Sequence, residues 1–415
     1  MSKYRLFSVC RELNATITAE SFLTNFKNKL TSFIRTRKMP FCDIIYFILG
    51  SSNKSVQAEL DEFFDKKGCE GVSRQAFSKS RENIKPEAFI HLNDLLINKF
   101  EKEDGEIATY RGYRLFSADG TIIDLPNNEK LRSEFGVSTN GSDKSYAKGL
   151  AITAFDVLNK LTIFAHLYRY DDSEKFRIID IVDGFANLYP KVIFLLDRGY
   201  PSFKLFSKLE SNNQKFVIRV SSCALKEINI ADKEDQIVTA TRNNNTLSLR
   251  VVNISLDSGM VEKLVTNLDE TFTISELKEL YARRWGIETN YRYLKKKAIV
   301  EVFTGETVTA VMQDFHAAIL VLNMAAIAER EQEDVLILGD KNKELKYTYH
   351  PNKSKIIADI KKNFISLLLA ESPLHKLFLD ILIYSRVKRY AYHSMPNRKF
   401  PRDFLHKDTH SKFTL

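Results

Sequence analysis

The sequence predicts an α/β protein, with a mixed sheet in the middle of the chain and helical regions flanking it. Three observations predict this. Up to about residue 105, apolar residues recur at helical spacing. From about residue 110, short β-rich runs alternate with amphipathic helices, and past about residue 270 the helical spacing returns.

Taken in order, "PFCDIIYFIL" from Pro40 predicts a helix with proline in its first turn. "SVQAELDEFF" from Ser55 predicts a second helix, and "GVSRQAFSKSRENI" from Gly71 a third, with Ser73 as its N-cap. The polar side of this third helix carries Arg74, Gln75, Ser78, Lys79 and Arg81. That face is either a groove-reading element or an ordinary solvated surface. "YRLFSA" predicts a strand ending at Asp119, and "GLAITAFDV" and "LTIFAHLYRY" a hairpin turning at "LNK". "EKFRIIDIVDGFANLY" reads as an amphipathic helix. "KVIFLL" reads as a strand buried on both faces and stopping at Asp197. A helix in "PSFKLFSKLE" and a strand in "KFVIRV" follow.

Residues 221–270 form a β-rich insertion, with two strand runs joined at "DSG". "SELKELYARRWGIETNYRYLKKK" predicts one continuous helix capped by Ser275. "TVTAVMQDFHAAILVLNMAAIAERE" predicts another, before a basic and mostly helical tail.

At 415 residues, 44% hydrophobic and 28% charged, the chain has room for two or three domains around a large core. Its net charge of +9 is gathered at the ends. Met1–Gly50 holds eight Lys or Arg against three acids, and His375–Leu415 nine against three. That distribution favours a nucleic-acid partner over uniform solubilising charge. Cys10, Cys42, Cys69 and Cys223 show neither a C-x-x-C pair nor zinc spacing, which fits a reducing compartment. "MSKYRLFSVC" has no signal-peptide pattern. The apolar run Ala317–Ala328, interrupted by Asn323, is too short to span a bilayer and reads as a buried helix. A cytoplasmic protein with no membrane partner is expected. The absence of a phosphate-binding glycine loop disfavours nucleotide-fuelled chemistry.

Within Tyr281–Lys297 a single acid, Glu288, stands among basic residues. At about 100° per residue, Tyr281, Arg284, Glu288 and Lys295 fall within an arc of roughly 60°. An i,i+4 ion pair between Arg284 and Glu288 explains two of these four and leaves Tyr281 and Lys295 unaccounted for. A carboxylate among cations stays ionised and suits a hard divalent ion, which needs further oxygen ligands from other acids. Asp119 in "ADGT" and Asp197 in "DRGY" terminate the first and fourth predicted strands of the core, and these two strands lie adjacent in a ribonuclease H-like sheet. Asp124 reads as a turn cap and Asp156 as structural. Arg198 suits either a phosphate or an ion pair, and His316 belongs to the core.

The spacing Y-x2-R-x3-E-x6-K at Tyr281, Arg284, Glu288 and Lys295 resembles the signature of DDE transposases of the insertion-sequence-four family. "SADGTIIDLP" and "VIFLLDRGY" are similar to that family's first and second aspartate motifs. "KLVTNL", "FTGETVTAVMQDFHAAILVLN", "KMPFCDIIYFIL" and "SRQAFSKSR" extend the likeness from about residue 35 to 330. The resemblance implies a ribonuclease H-like catalytic core at 106–335, interrupted by the 221–270 insertion. It further implies a helical DNA-binding region at 1–105 and a helical, basic, partner-contacting region at 336–415.

Asp119, Asp197 and Glu288 would then be the catalytic triad holding two Mg²⁺ or Mn²⁺ ions. Tyr281, Arg284 and Lys295 would contact DNA near the element end, as would Arg74 and Lys79 on the N-terminal helix. The implied partners are double-stranded DNA, as terminal inverted repeats and target, and a second copy of the chain on that DNA. The implied setting is a prokaryotic nucleoid. Some members stack a flipped base on a tryptophan of the insertion, but the only tryptophan here is Trp285 in the signature helix, placed against the DNA backbone or packed. The competing expectations are an inactive DNA-binding relative and a nuclease that cuts without joining.

Overall fold

The computed structural model describes residues 5–364 except 36, 53, 104–106, 140–143, 222–224, 256–260, 297, 299–301 and 341–348; beyond them it describes only Arg386–Lys388. Most of the expected tail therefore lies outside the described residues, as does Cys223. The chain divides into two compact units. One comprises Met1–Glu103, Ile123–Lys148 and Tyr293–Leu415, and the other Asp104–Ile122 and Gly149–Arg292.

The N-terminal segment is helical, as expected: α1 (Arg5–Thr18), α2 (Glu20–Phe26), α3 (Phe41–Gly50), α4 (Val56–Lys67), α5 (Arg74–Arg81) and α6 (Glu87–Glu103). Pro40 is the N-cap residue of α3, and the Ser73 hydroxyl accepts the Ala76 amide at the start of α5. Then follow β1 (Arg114–Asp124), α7 (Glu129–Phe135), β2 (Val137–Ser138), β3 (Tyr146–Asp156), β4 (Leu161–Arg169), α8 (Glu174–Phe185), β5 (Val192–Leu196), α9 (Phe203–Ser211) and β6 (Lys215–Val220). The insertion contributes α10 (Lys226–Asn229), β7 (Asp235–Arg242), β8 (Asn245–Ser255) and β9 (Val261–Thr266). The chain continues with α11 (Ile274–Arg283), α12 (Trp285–Lys296), α13 (Val308–Asp340), β10 (Tyr349–Pro351), α14 (Lys353–Lys362) and β11 (Arg386–Lys388).

In the second unit the strand order is β4-β3-β1-β5-β6-β9-β8-β7. β1 runs parallel to β5 and β5 to β6, while β3 and β4 form the expected antiparallel hairpin. This is the ribonuclease H-like order. Both faces of the sheet are covered, which explains the uninterrupted apolar run in β5. Val192, Phe194 and Leu196 face a cluster with Ile178, Val182 and Phe185 of α8 and Leu205, Phe206 and Leu209 of α9. The alternate residues Ile193 and Leu195 face Leu277, Leu280 and Tyr281 of α11.

The two strand runs expected around "DSG" pair antiparallel as β8 and β9, and with β7 they extend the main sheet, β9 lying antiparallel to β6. Two expectations need correction here. β1 does not end at Asp119 but continues through Gly120 to Asp124, because only its pairing with β5 stops, at Ser117↔Leu195. The signature helix is two helices, broken at Arg284, and its cap is Thr273 rather than Ser275. The Thr273 hydroxyl accepts the Glu276 amide, and Glu276 accepts the Thr273 amide in return at 2.9 Å, a reciprocal capping box.

In the first unit α13 is the central core element. Val308–Glu333 is the one described helix long and apolar enough to cross a membrane, and 89% of its apolar window is buried inside the protein. Asn323 interrupts the apolar run without an unmet polar group, since its amide donates to Asn93 Oδ1 at 2.7 Å.

Candidate active site

Parallel pairing sets the site. Because Ser117 stands opposite Leu195, Asp119 and Asp197 each lie two residues beyond the last paired position of neighbouring strands. Asp119 sits in a pocket of hydroxyls. The buried Tyr200 donates to its Oδ1 at 2.6 Å and also touches Glu174 Oε1. The Tyr291 hydroxyl donates to the Asp119 backbone carbonyl and accepts from Thr153 at 2.9 Å. Burial, opposed by the Tyr200 hydrogen bond and reinforced by Glu174, pushes the Asp119 carboxyl up to about 6.

Asp197 behaves differently. Burial works against its charge, yet the Arg198 amide, the Arg284 guanidinium and the Tyr281 hydroxyl together hold its carboxyl below the usual range. Tyr281 donates to Asp197 Oδ1 at 2.9 Å.

Arg284 ties the remaining acid to this pair. It is only 4% exposed, donates to Glu288 Oε1 at 2.8 Å and is drawn electrostatically to both Asp197 and Asp119. Its guanidinium lies 5.6 Å from the Tyr281 ring centre and 5.4 Å from that of Trp285. Glu288 is thus paired to a buried guanidinium whose charge also favours the ionised forms of Asp197 and Asp119. Among the described residues, no three His, Cys, Asp or Glu side chains stand together as a ready-made metal cage. Glu288 is turned to Arg284 instead.

The donor set nevertheless fits a hard divalent ion. Asp119 on β1 and Asp197 just past the end of β5 offer carboxylate oxygens, and Asp119 has a second acid, Glu174, beside it, a surplus of negative charge that a cation relieves.

Other predicted residues fall as follows. Lys295 lies half-buried on the last turn of α12, and Arg198 is exposed. Trp285 is 59% exposed, so of its two expected placements the packed one is excluded. Asp124 closes β1 and pairs with Lys148 at 2.8 Å. Asp156 is structural, buried against Arg114 at 2.6 Å, and His316 is in the core.

On α5, Lys79 is exposed and lines a cleft of about 610 Å³ together with Lys29, Arg37 and Lys38. Arg74 is half-buried, its backbone amide donating to Gln57. Arg81, read from sequence as part of the polar face, is 1% exposed and faces inward, because Asp314 needs a cation there. Sequence reasoning missed Glu174, Tyr200 and Tyr291. Tyr200 was within sight, closing the "DRGY" motif, whereas Glu174 looks like any acid in the first turn of a helix.

Fold and side chains together define a ribonuclease H-like protein with an acidic site at the ends of adjacent parallel strands. The family follows from comparison: the transposase DDE domain matches residues 110–324, more than half the chain, and the chain belongs to that family. It is a DNA transposase, of the enzyme class that cuts and joins DNA. Among solved structures, a piggyBac transposase synaptic complex with hairpin DNA is similar at a TM-score of 0.45 and 13% identity, covering 96% of this chain and 86% of that one. No curated protein matches the chain.

The raised Asp119 carboxyl has a measurable consequence. With a folded value near 6 against 3.8 unfolded, ionisation costs nothing below about pH 4, costs progressively more between pH 4 and 6, and reaches its full cost above that. Asp119→Asn is therefore expected to stabilise the metal-free protein at pH 8, by about 3 kcal/mol at most, and to leave it unchanged near pH 4. Denaturant unfolding at the two pH values measures this; equal effects at both would contradict it.

Proposed function

We propose that the protein is a transposase of the insertion-sequence-four type. On this reading it binds the terminal repeats of its element as a homodimer, cleaves the DNA ends and joins the 3′ ends to a target. Asp119, Asp197 and Glu288 are the reaction's carboxylates and hold two Mg²⁺ or Mn²⁺ ions. When bound, the ions activate the attacking oxygen and stabilise the leaving one. Glu288 reaches its ion-holding position by leaving Arg284, which frees the guanidinium for a DNA phosphate. Tyr281 keeps Asp197 in place beneath that exchange. Lys295, Arg74 and Lys79 contact the DNA backbone, and residues 336–415 contact the second copy.

The single observation that carries this reading is that the parallel pairing of β1 with β5 brings Asp119 and Asp197 just past the paired stretch of neighbouring strands, where Tyr281 holds Asp197 and Arg284 holds Glu288. The test is incubation of the full chain with the DNA flanking its coding region in Mg²⁺, followed by a joining assay with pre-cut ends. Cleavage and joining are expected. Salt-sensitive binding without nicking would mark an inactive relative, and nicking without joining a nuclease.

A further inference from the structure

We propose that Tyr200 and Glu174 act as a positioning pair for Asp119, a role that rests on reading Asp119 as an ion-holding carboxylate. Tyr200 follows the second aspartate by three residues, and Glu174 opens α8, so neither lies on the strand that carries Asp119. The Tyr200 ring is buried, and its hydroxyl contacts Asp119 Oδ1 and Glu174 Oε1 together. A phenol has one proton, so its oxygen is fixed between two carboxylates only if both are held in place by other means.

Glu174 is held. The loop before it is braced by Asp172, which accepts the Ser173 amide at 2.7 Å and pairs with Arg177 at 2.8 Å. Ile178 and Val182 of the same helix are buried in the sheet's core.

Gly120 is the second, independent observation. A Cβ there would stand 2.5 Å from Glu174 Oε1, 2.6 Å from its Cδ and 3.0 Å from its Cγ. The glycine after Asp119 is therefore the space that Glu174 occupies, and any side chain at 120 pushes the carboxylate off Tyr200.

Among the described residues Glu174 has no basic partner. A first-turn acid normally turns to water, where its charge is solvated at no cost. Here it turns inward beside another acid instead. Such an arrangement costs the metal-free chain folding free energy, and a cost kept at this place points to a role at the carboxylate it braces. Fixing one oxygen of a ligating carboxylate through an outer hydroxyl is a general way to hold the other oxygen ready for an ion, and removing such a partner usually costs about 10- to 100-fold in metal affinity.

The test is Mn²⁺ binding to the full chain, read from the paramagnetic resonance signal of free Mn²⁺, beside thermal unfolding of each variant. Tyr200→Phe and Glu174→Ala are each expected to weaken Mn²⁺ binding about tenfold or more. Gly120→Ala is expected to do the same while leaving both side chains present. In an Asp119→Asn background, Tyr200→Phe is expected to add no further loss, because the pair acts only through Asp119. Variants that bind Mn²⁺ like the wild type, with or without a lower melting temperature, would overturn the proposal and leave a purely structural contact. If the wild type itself binds no Mn²⁺, the ion-holding reading of Asp119 fails first and takes the positioning role with it.

Discussion

Asp197→Asn, Asp119→Asn and Glu288→Gln are each expected to lower DNA-end cleavage about a thousandfold or more, equivalent to about 4 kcal/mol of transition-state stabilisation. Each substitution keeps the shape and the hydrogen bond that the native side chain makes. Asn at 197 still accepts from Tyr281, Asn at 119 still accepts from Tyr200, and Gln at 288 still accepts from Arg284. Only the negative charge is lost, so a drop in rate reports on ion holding rather than on folding. DNA binding should survive in all three, since none of them removes a cation. Retained cleavage in any one of the three would remove that residue from the reaction.

The largest effect on stability is expected at Arg81. Its guanidinium donates to Gln313 Oε1 at 2.8 Å, to the Ala310 carbonyl at 3.2 Å, to Asp314 Oδ1 at 2.7 Å and to Thr304. It also lies 5.3 Å from the centre of the Phe77 ring. Gln313 returns hydrogen bonds to the Arg81 and Ile84 carbonyls at 3.0 and 2.8 Å. Arg81→Met fills much of the volume but leaves Asp314 without its cation in a site almost closed to water. The expected loss is about 3–5 kcal/mol, read as a lower midpoint in urea unfolding of the full chain. A loss below about 1 kcal/mol would mean that Asp314 is solvated or paired elsewhere.

Arg81 also shows where sequence reading stops. Its place on the polar side of a short helix is legible, but the partner that turns it inward lies 233 residues away. Nothing local distinguishes it from Lys79, which is exposed. The strand "VIFLL" was legible because burial on both faces leaves a run with no polar interruption. The β3–β4 hairpin was legible because its two β-rich runs flank a short polar turn.

The continuation of β1 through Asp119 was not legible, since Ala-Asp-Gly has the composition of a turn; only the neighbouring strand's end explains it. The break at Arg284 had no proline or glycine before it to announce it. The cap at Thr273 did have a signal, Thr-x-x-Glu, and that spacing outweighs the nearer serine. In the candidate site, the charged residues could be read from motif spacing. The hydroxyls that orient them could not, because Tyr200 and Tyr291 resemble ordinary core tyrosines until the sheet brings Asp119 to them.

The most direct measurement is anomalous scattering from crystals of the full chain grown with Mn²⁺. Our account predicts manganese bound by carboxylate oxygens of both Asp119 and Asp197 at roughly 2.1 Å, with Glu288 rotated off Arg284 toward the ion. Manganese held elsewhere, with those two aspartates uncoordinated at saturating concentration, would contradict it.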